Sequence, residues 1–390
     1  MLEVAGGVAA TSGGSHQRLS VVRHVAWVLP QYRIGGAELV ASHLVELVRA
    51  RGVRASYVSI DCVDEANRRL AEGIGVVDLM AASGRSWLNQ RFPRLLRVHR
   101  LRRWLEAERP DAVVAFLPLA QAVSLVAAHP LGIPVVLSER IFPPLDAGTA
   151  HWRWFVSRLE HRAAGLVVLD SQVRPYFPRV DDECVHVIVN PVQPAISNPD
   201  FATGKWIVGV GRLHHQKRFD LLLSAFARAG EALADWNLVI WGEGEQDRAL
   251  RQQAERLGLG DRVRFPGRTV APRVWLPACG IFVLCSDYEG FPNALAEAMA
   301  AGMPVVATDC PTGPSGMIRS GTDGILIPKG DVGELVNALR TLALDGALRA
   351  RLGAAAVKKA AAWAPDRIAE SWLGAIEAAV RRARTQGTGR

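Results

Sequence analysis

Short apolar runs alternate with longer stretches of helical period along this chain, the way a parallel sheet covered by helices on both faces is written in sequence. In the first half, His24 to Leu29, Ala55 to Ile60, Ala112 to Leu117, Val135 to Leu137, Leu166 to Leu169 and Val185 to Val189 are expected to be strands. Pro191, Pro194 and Pro199 then fall close together, a composition that continues neither a helix nor a central strand. The pattern restarts with Trp206 to Val210, Leu238 to Trp241, Val263 to Phe265, Ile281 to Cys285, Val305 to Thr308 and Ile325 to Ile327. The expected fold is α/β, with two doubly wound, Rossmann-like domains facing a cleft. A flexible extension over 1–22 precedes a first domain over 23–190, a linker over 191–203 and a second domain over 204–364. The last segment, 365–390, reads as a helix from Pro365 to Arg382, free to pack back on the first domain, with a frayed tail.

Length and composition agree with this division. A chain of 390 residues exceeds the usual single core, and 49% hydrophobic with 22% charged residues is enough to bury two. The five cysteines, at 62, 184, 279, 285 and 310, show no ligand-like or disulfide-framework spacing. No apolar run reaches the roughly 18 to 20 residues needed to span a bilayer, so a cytoplasmic location is expected. A net charge of +8 suits a diphosphate, an anionic membrane or nucleic acid, and does not choose among them.

Ligands of doubly wound sheets sit outside the carboxyl ends of the strands, so the turns after strands carry the candidate chemistry. After the first strand, Gly35-Gly36-Ala37-Glu38 opens a helix. Paired glycines at a helix N-terminus let backbone N–H groups approach an anion, although an ordinary glycine turn reads the same. After the first strand of the second half comes Gly209-Val-Gly-Arg-Leu-His-His-Gln-Lys217. It lacks the third glycine of a dinucleotide fingerprint and instead sets Arg212 and Lys217 on one loop. The two cations would clamp a diphosphate and stabilise its charge as it leaves; a solvated basic turn is the plain alternative.

The third turn holds two carboxylates, Glu289 and Glu297, in Ser286-Asp-Tyr-Glu-Gly-Phe-Pro-Asn-Ala-Leu-Ala-Glu297. Pro292 is expected as the first helical residue and Gly302 as the stop. Glu297 lies about 200° around the helix from Leu295 and points out of the core, as a ribose or hexose diol acceptor or as a solvent-facing glutamate. A fourth turn, Asp309-Cys-Pro-Thr-Gly-Pro-Ser315, either lines a pocket or makes a tight connection.

Gly35-Gly36-Ala37-Glu38, Asn190-Pro191-Val192, Gly211-Arg212-Leu213 with Lys217, Trp241-Gly242-Glu243-Gly244 and Glu289-x7-Glu297 stand in the order found in family-four glycosyltransferases of the GT-B architecture, glycosyltransferases group 1. The chain resembles that family from Arg23 to Ala379. The resemblance implies retaining transfer of a hexose-type sugar from a nucleotide sugar, most often UDP-linked, bound mainly to the second domain. The acceptor, a glycan or a polyprenyl-diphosphate-linked sugar of surface polysaccharide or glycolipid synthesis, is implied on the first. It makes Arg212, Lys217 and Glu289 the catalytic candidates, with Glu297 on the ribose hydroxyls and Gly290, Phe291, Pro292 and Asn293 beside the donor sugar. Gly35 and Gly36 would reach the phosphates from across the cleft, and Asn190 and Gly211 are further binding candidates. No Asp-x-Asp motif occurs, so no metal or other cofactor is expected. Two positions depart from the family: Glu139 stands where many relatives have histidine and is kept as a binding candidate, and Gly316 stands where a glutamate is frequent.

On the acceptor side, seven arginines fall between Arg85 and Arg103, interleaved with aromatic and aliphatic residues and no acid. From Pro93 onward this reads as a helix with Leu95, Val98, Leu101 and Leu105 on one face, Arg102 inside that face, and Leu96 and Trp104 outside it. Such a helix either lies on the anionic inner face of the cytoplasmic membrane or packs on a core with its arginine heads in water. His151-Trp-Arg-Trp154 shares the ambiguity. Besides the transferase, a nucleotide-sugar 2-epimerase and a noncatalytic sugar-nucleotide or nucleic-acid-binding protein fit the architecture. The arginine run carries no recognised nucleic-acid motif, so no nucleic-acid partner is expected.

Overall fold

The computed structural model describes residues 21–31, 36–61, 75–80, 93–145, 149–194, 201–268 and 279–387. The greater part of the N-terminal extension, Gly35, Arg85, Arg91, Pro199 and the last three residues of the tail lie outside them. Among the described residues the first sheet contains β1 (His24–Leu29), β2 (Arg54–Ser59), β3 (Val76–Asp78), β4 (Ala112–Phe116), β5 (Val135–Ser138), β6 (Gly165–Val168) and β7 (Val185–Val187). The second contains β8 (Trp206–Val210), β9 (Asn237–Trp241), β10 (Val263–Gly267), β11 (Cys279–Leu284), β12 (Val305–Asp309) and β13 (Ile325–Pro328). Their orders are β3-β2-β1-β4-β5-β6-β7 and β10-β9-β8-β11-β12-β13. Every pairing is parallel.

The central strands β1, β4 and β11 are buried at every position, as uninterrupted apolar runs must be when helices cover both faces. Strands β1 and β8 run over the residues expected from the sequence, and the other expected strands shift by one or two positions at one or both ends. The strand β3 was not foreseen. It has three half-buried residues at the sheet edge and is defined by pairing with β2, a signal too short for periodicity to carry.

The helices of the first domain include α1 (Gly36–Arg49), α2 (Pro93–Glu108), α3 (Leu117–Ala128) and α4 (Ala150–Leu159). On α2 the expected stripe needs correction. Leu101 and Leu105 are fully buried and Val98 packs beside them, but Leu95 is 69% exposed. The arginines of this helix serve its own domain: Arg97 pairs with Asp61 at 2.5 Å, Arg100 donates to the Leu79 carbonyl at 2.7 Å and Arg102 to the Val126 carbonyl at 3.2 Å. The first two contacts hold the start of α2 over the β2 and β3 ends, and Leu95 is left outside the buried stripe. Trp104, expected off the core, packs partly buried, its ring T-shaped to that of His24.

In the second domain α5 (Phe219–Arg228), α6 (Asp247–Arg256), α7 (Asn293–Ala301), the single turn α8 (Pro314–Met317), α9 (Val332–Leu344) and α10 (Gly346–Ala360) surround the sheet. The chain then returns: Val192 N–H donates to the Trp363 carbonyl at 2.9 Å, and α11 (Pro365–Gly387) runs back onto the first domain. Ile368, Trp372, Ala375, Ile376, Ala379 and Val380 belong to the same core as β1, β4 and α1. Trp372 sits 5.1 Å from Trp27 and stacks on Phe116 at 6.1 Å with 14° between the rings. Arg51 fixes the start of α11 through Asp366 at 2.7 Å, and Arg382 its end through the Glu183 carbonyl at 2.7 Å.

No helix among the described residues is long and apolar enough to cross a membrane. The described cysteines are free and buried; burial pushes the thiols of Cys279 and Cys285 up to about 12, so both are protonated at neutral pH.

Replacing Trp372 by alanine should destabilise the first domain by about 3–5 kcal/mol, the range for truncating a buried aromatic. Hydrogen exchange in rising urea is the check: β1 and β4 should lose protection before β8 and β11. Protection lost from β8 and β11 first would contradict this placement of α11.

Candidate active site

In each domain the strand order reverses beside its first strand, at β1 against β4 and at β8 against β11. A crevice opens at such a switch point because the connections on either side leave in opposite directions. In the second domain the turn after β8 therefore lies beside the loop after β11. Lys217 Nζ and Glu289 Oε1, 72 positions apart in sequence, meet there at 2.5 Å.

The turn after β8 is built by close backbone approach. The strand end at Gly242 runs so near it that a Cβ would fall 1.8 Å from the Gly211 carbonyl oxygen, with φ at +152°, which explains glycine there. Gly211 N–H donates to the Trp241 carbonyl at 3.0 Å, and Leu213 N–H to the Glu243 carbonyl at 2.8 Å. The turn is thereby a rigid shelf, with Arg212 exposed at its lip and without a side-chain partner among the described residues. Lys217 is mostly enclosed, its methylenes lying where any Gly211 side chain would go.

The loop after β11 is held as firmly. Ser286 Oγ donates to Glu289 Oε1 at 2.5 Å, Gln216 Nε2 to the Tyr288 carbonyl at 2.7 Å, and Thr312 Oγ1 to the Glu289 carbonyl. Burial, then the charge of Glu289, pushes the nearby Cys310 thiol up to about 12. Helix α7 starts at Asn293 and stops at Gly302 in the left-handed conformation. Pro292, expected as the first helical residue, occupies the capping position, so the helix begins one residue later than expected. Its ψ of 88° falls outside the helical range while its ring still leads into the first turn.

These elements line a cavity of about 620 Å³ whose wall includes Gly211, Arg212, Lys217, Glu289, Phe291, Pro292 and Asn293, with Leu39 of α1 entering from the first domain. Gln216, Glu243 and Arg268 also line it. Gln216 was not singled out by sequence reasoning, although it stands inside the basic turn. The domains touch at the rim. Asn190 Nδ2 donates to Asn293 Oδ1 at 2.8 Å. A Cβ on Gly290 would fall 2.5 Å from the Arg140 carbonyl oxygen, so only glycine lets the two backbones come this close. Asp170, which follows β6 and was also missed, accepts from Gly313 N–H at 3.3 Å, and its Oδ2 lies 3.4 Å from where a Gly316 side chain would begin. A glutamate at 316 would meet that carboxylate, a physical reason for glycine in this chain.

Three candidates stand apart. Gly36 opens α1, but its partner Gly35 is outside the described residues. Glu297 is half-buried on α7 and does not line the cavity. Glu139 is fully buried and turned inward: it accepts from Arg153 at 3.0 and 3.4 Å and from the Arg140 and Ile141 amides at 3.0 and 3.1 Å. Burial drives its carboxyl above the ordinary value, while Arg153 and the two amides work the other way. The residue clamps the loop after β5.

Among the described residues one group has the proximity of metal ligands: His214, His215 and Glu245. His214 Nδ1 accepts the Gln216 N–H at 3.2 Å, so the neutral ring carries its proton on Nε2, which faces Glu245 at 3.4 Å. In that tautomer Nε2 has no lone pair to offer an ion, and Nδ1 is already taken by the backbone. The group is better explained as the cap of the turn at 215–217.

The family model described as Glycosyl transferases group 1 matches residues 197–359, and the Glycosyl transferase 4-like domain matches 35–179. An exopolysaccharide phosphotransferase of Streptomyces coelicolor is 39% identical over 171 residues, 44% of this chain and 18% of that protein. The lipopolysaccharide 1,6-galactosyltransferase of Escherichia coli is 24% identical over 319 residues, 78% of this chain and 84% of that one. The chain spans less than half the length of the Streptomyces protein and of other curated relatives it matches. The crystal structure of Anabaena HepE with UDP superposes with a TM-score of 0.75 at 22% identity, covering 94% of this chain and 100% of HepE. The HepE likeness shows the two-domain GT-B fold, and with one glycosyltransferase model over each Rossmann-like domain the chain belongs to the group 1, family-four glycosyltransferases.

Proposed function

We propose that this protein is a retaining, metal-independent glycosyltransferase that moves a hexose-type sugar from a UDP-linked donor to a glycan or polyprenyl-diphosphate-linked acceptor in surface polysaccharide assembly. The observation that carries the reading is the convergence of Arg212, Lys217 and Glu289 on one cavity at the switch point of the second domain, with the first domain reaching its rim. The matched Escherichia coli and Streptomyces proteins are named for surface polysaccharides, and the Anabaena neighbour was crystallised with UDP.

The chemistry follows from charge. As the acceptor hydroxyl bonds to the anomeric carbon, the bond from that carbon to the diphosphate breaks, negative charge builds on the departing oxygen and the acceptor proton passes to it. Arg212 and Lys217 are placed to stabilise that charge, in the role a metal plays elsewhere. Lys217 pairs with Glu289, so donor binding exchanges a carboxylate partner for a phosphate. Glu289 then turns to the hydroxyls of the donor sugar, beside the backbone of 290–293. Glu297 is assigned to the ribose, which requires α7 or the nucleotide to bring the two together.

Thermal shifts with UDP, GDP, ADP and CMP should single out UDP; saturation at about 100 times its Kd adds about 2.7 kcal/mol. Arg212→Ala and Lys217→Ala should each lower turnover by about 10²- to 10³-fold, as when one preorganised donor is removed. Near-normal turnover in both would sink the assignment. Glu297→Ala should raise the Kd for UDP while leaving kcat at saturation nearly unchanged; a fallen kcat with unaltered affinity would contradict the ribose role. Transfer should survive excess EDTA, and activity lost to the chelator and restored by Mg²⁺ would refute metal independence.

A further inference from the structure

The first domain contains a second hollow, of about 430 Å³, between α3, α4 and the 3-10 turn at 171–176. It opens at the carboxyl ends of β5 and β6, the same end of the sheet that meets the second domain. Its wall is largely apolar, with Pro143, Pro144, Trp154 and Phe177 among the lining residues. Two deeply buried polar side chains interrupt that wall. Gln121, with no exposed surface, gives its Nε2 to the Ser138 carbonyl at 3.0 Å, which leaves Oε1 buried without a partner. Glu160, 1% exposed, accepts the Arg179 N–H on Oε1 at 2.9 Å, which leaves Oε2 in the same condition.

A buried polar atom left unpaired costs about 1–3 kcal/mol, and folded proteins leave few of them. Two such oxygens on one hollow point to a ligand that supplies donors. An apolar tail would leave both unpaired. A cation would have to share the site with Arg153, which lines it. A neutral ring with hydroxyls along one edge and C–H groups on one face satisfies the whole wall, the face against the half-exposed Trp154. The volume falls in the range of small-molecule pockets, about 300–1,000 Å³.

We propose that this hollow is a saccharide subsite that takes a pyranose unit of the acceptor beyond the one that reacts, with Trp154 as its stacking face and Gln121 Oε1 and Glu160 Oε2 as its hydroxyl acceptors. The word acceptor rests on the transferase reading; the saccharide chemistry of the hollow does not. The hollow borders the donor side through few residues. Arg153 on its wall bonds Glu139, and the carbonyl of the adjacent Arg140 abuts Gly290 in the donor loop. An occupied subsite therefore braces the loop against which the donor sugar is held.

The test is saturation-transfer NMR and titration with methyl glycosides of glucose, galactose, mannose and N-acetylglucosamine and with lactose, without nucleotide, on the wild type, Trp154→Ala and Glu160→Gln. Glu160→Gln keeps the oxygen that accepts from Arg179, and Trp154 is exposed enough for its loss to spare the fold. At least one pyranoside should bind the wild type and bind each variant about tenfold more weakly, the scale of one lost stacking contact or hydrogen bond. UDP-induced stabilisation should be the same in all three proteins. The proposal is overturned if no pyranoside binds while UDP does, if pyranosides bind all three proteins alike, or if decyl phosphate and no sugar is the ligand whose binding Trp154 governs. Pyranoside binding that depends on Trp154 in a protein indifferent to UDP would leave the subsite standing and remove the transferase reading.

Discussion

The parallel sheet governs this molecule. When every strand runs the same way, every strand ends at the same edge, and the loops that leave those ends are collected along one rim whatever their distance in sequence. The pairing of Lys217 with Glu289 is a product of that constraint, since the two loops depart from neighbouring strands where the winding reverses. A polar cleft then needs only side chains of the right charge at the ends of β8 and β11, with a second sheet presenting its own ends opposite.

Much of this was legible in the sequence for a definite reason. A central strand covered on both faces must be apolar throughout, so β1, β4 and β11 announce themselves, and the glycine and proline clusters between them mark where turns must be. The turn with Arg212 and Lys217 and the loop with Glu289 were located by the same logic, as turns following strands. What was not legible depends on contacts that no local pattern encodes. The edge strand β3 exists through its neighbour, and Leu95 is exposed because two arginines anchor the helix start elsewhere. Glu139 shares its position with a catalytic-looking residue of the resembled family, but the arginine that claims it lies on α4. Asp170 and Gln216 stood in the expected kind of place and lacked only a partner that would have drawn attention to them.

The meeting of the domains combines small groups with an apolar patch, in which Leu169 and Val189 of the first domain join the cluster that holds Phe291, Met317 and Trp363. A glycine against a carbonyl, an amide against an amide and a carboxylate against one backbone N–H form the rim described above, while large apolar side chains fill the four interior clusters. The small contacts exclude side chains from the rim, and the apolar patch beside them draws few residues from the first domain. They suit a cleft whose two halves must both reach a ligand that is exchanged at each turnover.

The return of α11 to the first domain has a consequence for how the chain is made. Arg51 and Asp366 are 315 positions apart and in contact, and Trp372 fills the gap between Trp27 and Phe116. A ribosome delivers the whole of the second domain before it delivers the helix that completes the first. Nascent β1 and β4 therefore wait with part of their apolar face uncovered, and the domain synthesised first is the one finished last. Closing contacts at such separation is slow, and the exposed face is aggregation-prone in the interval. In this protein, the demand on chaperones falls on the N-terminal half and lasts until α11 has been made.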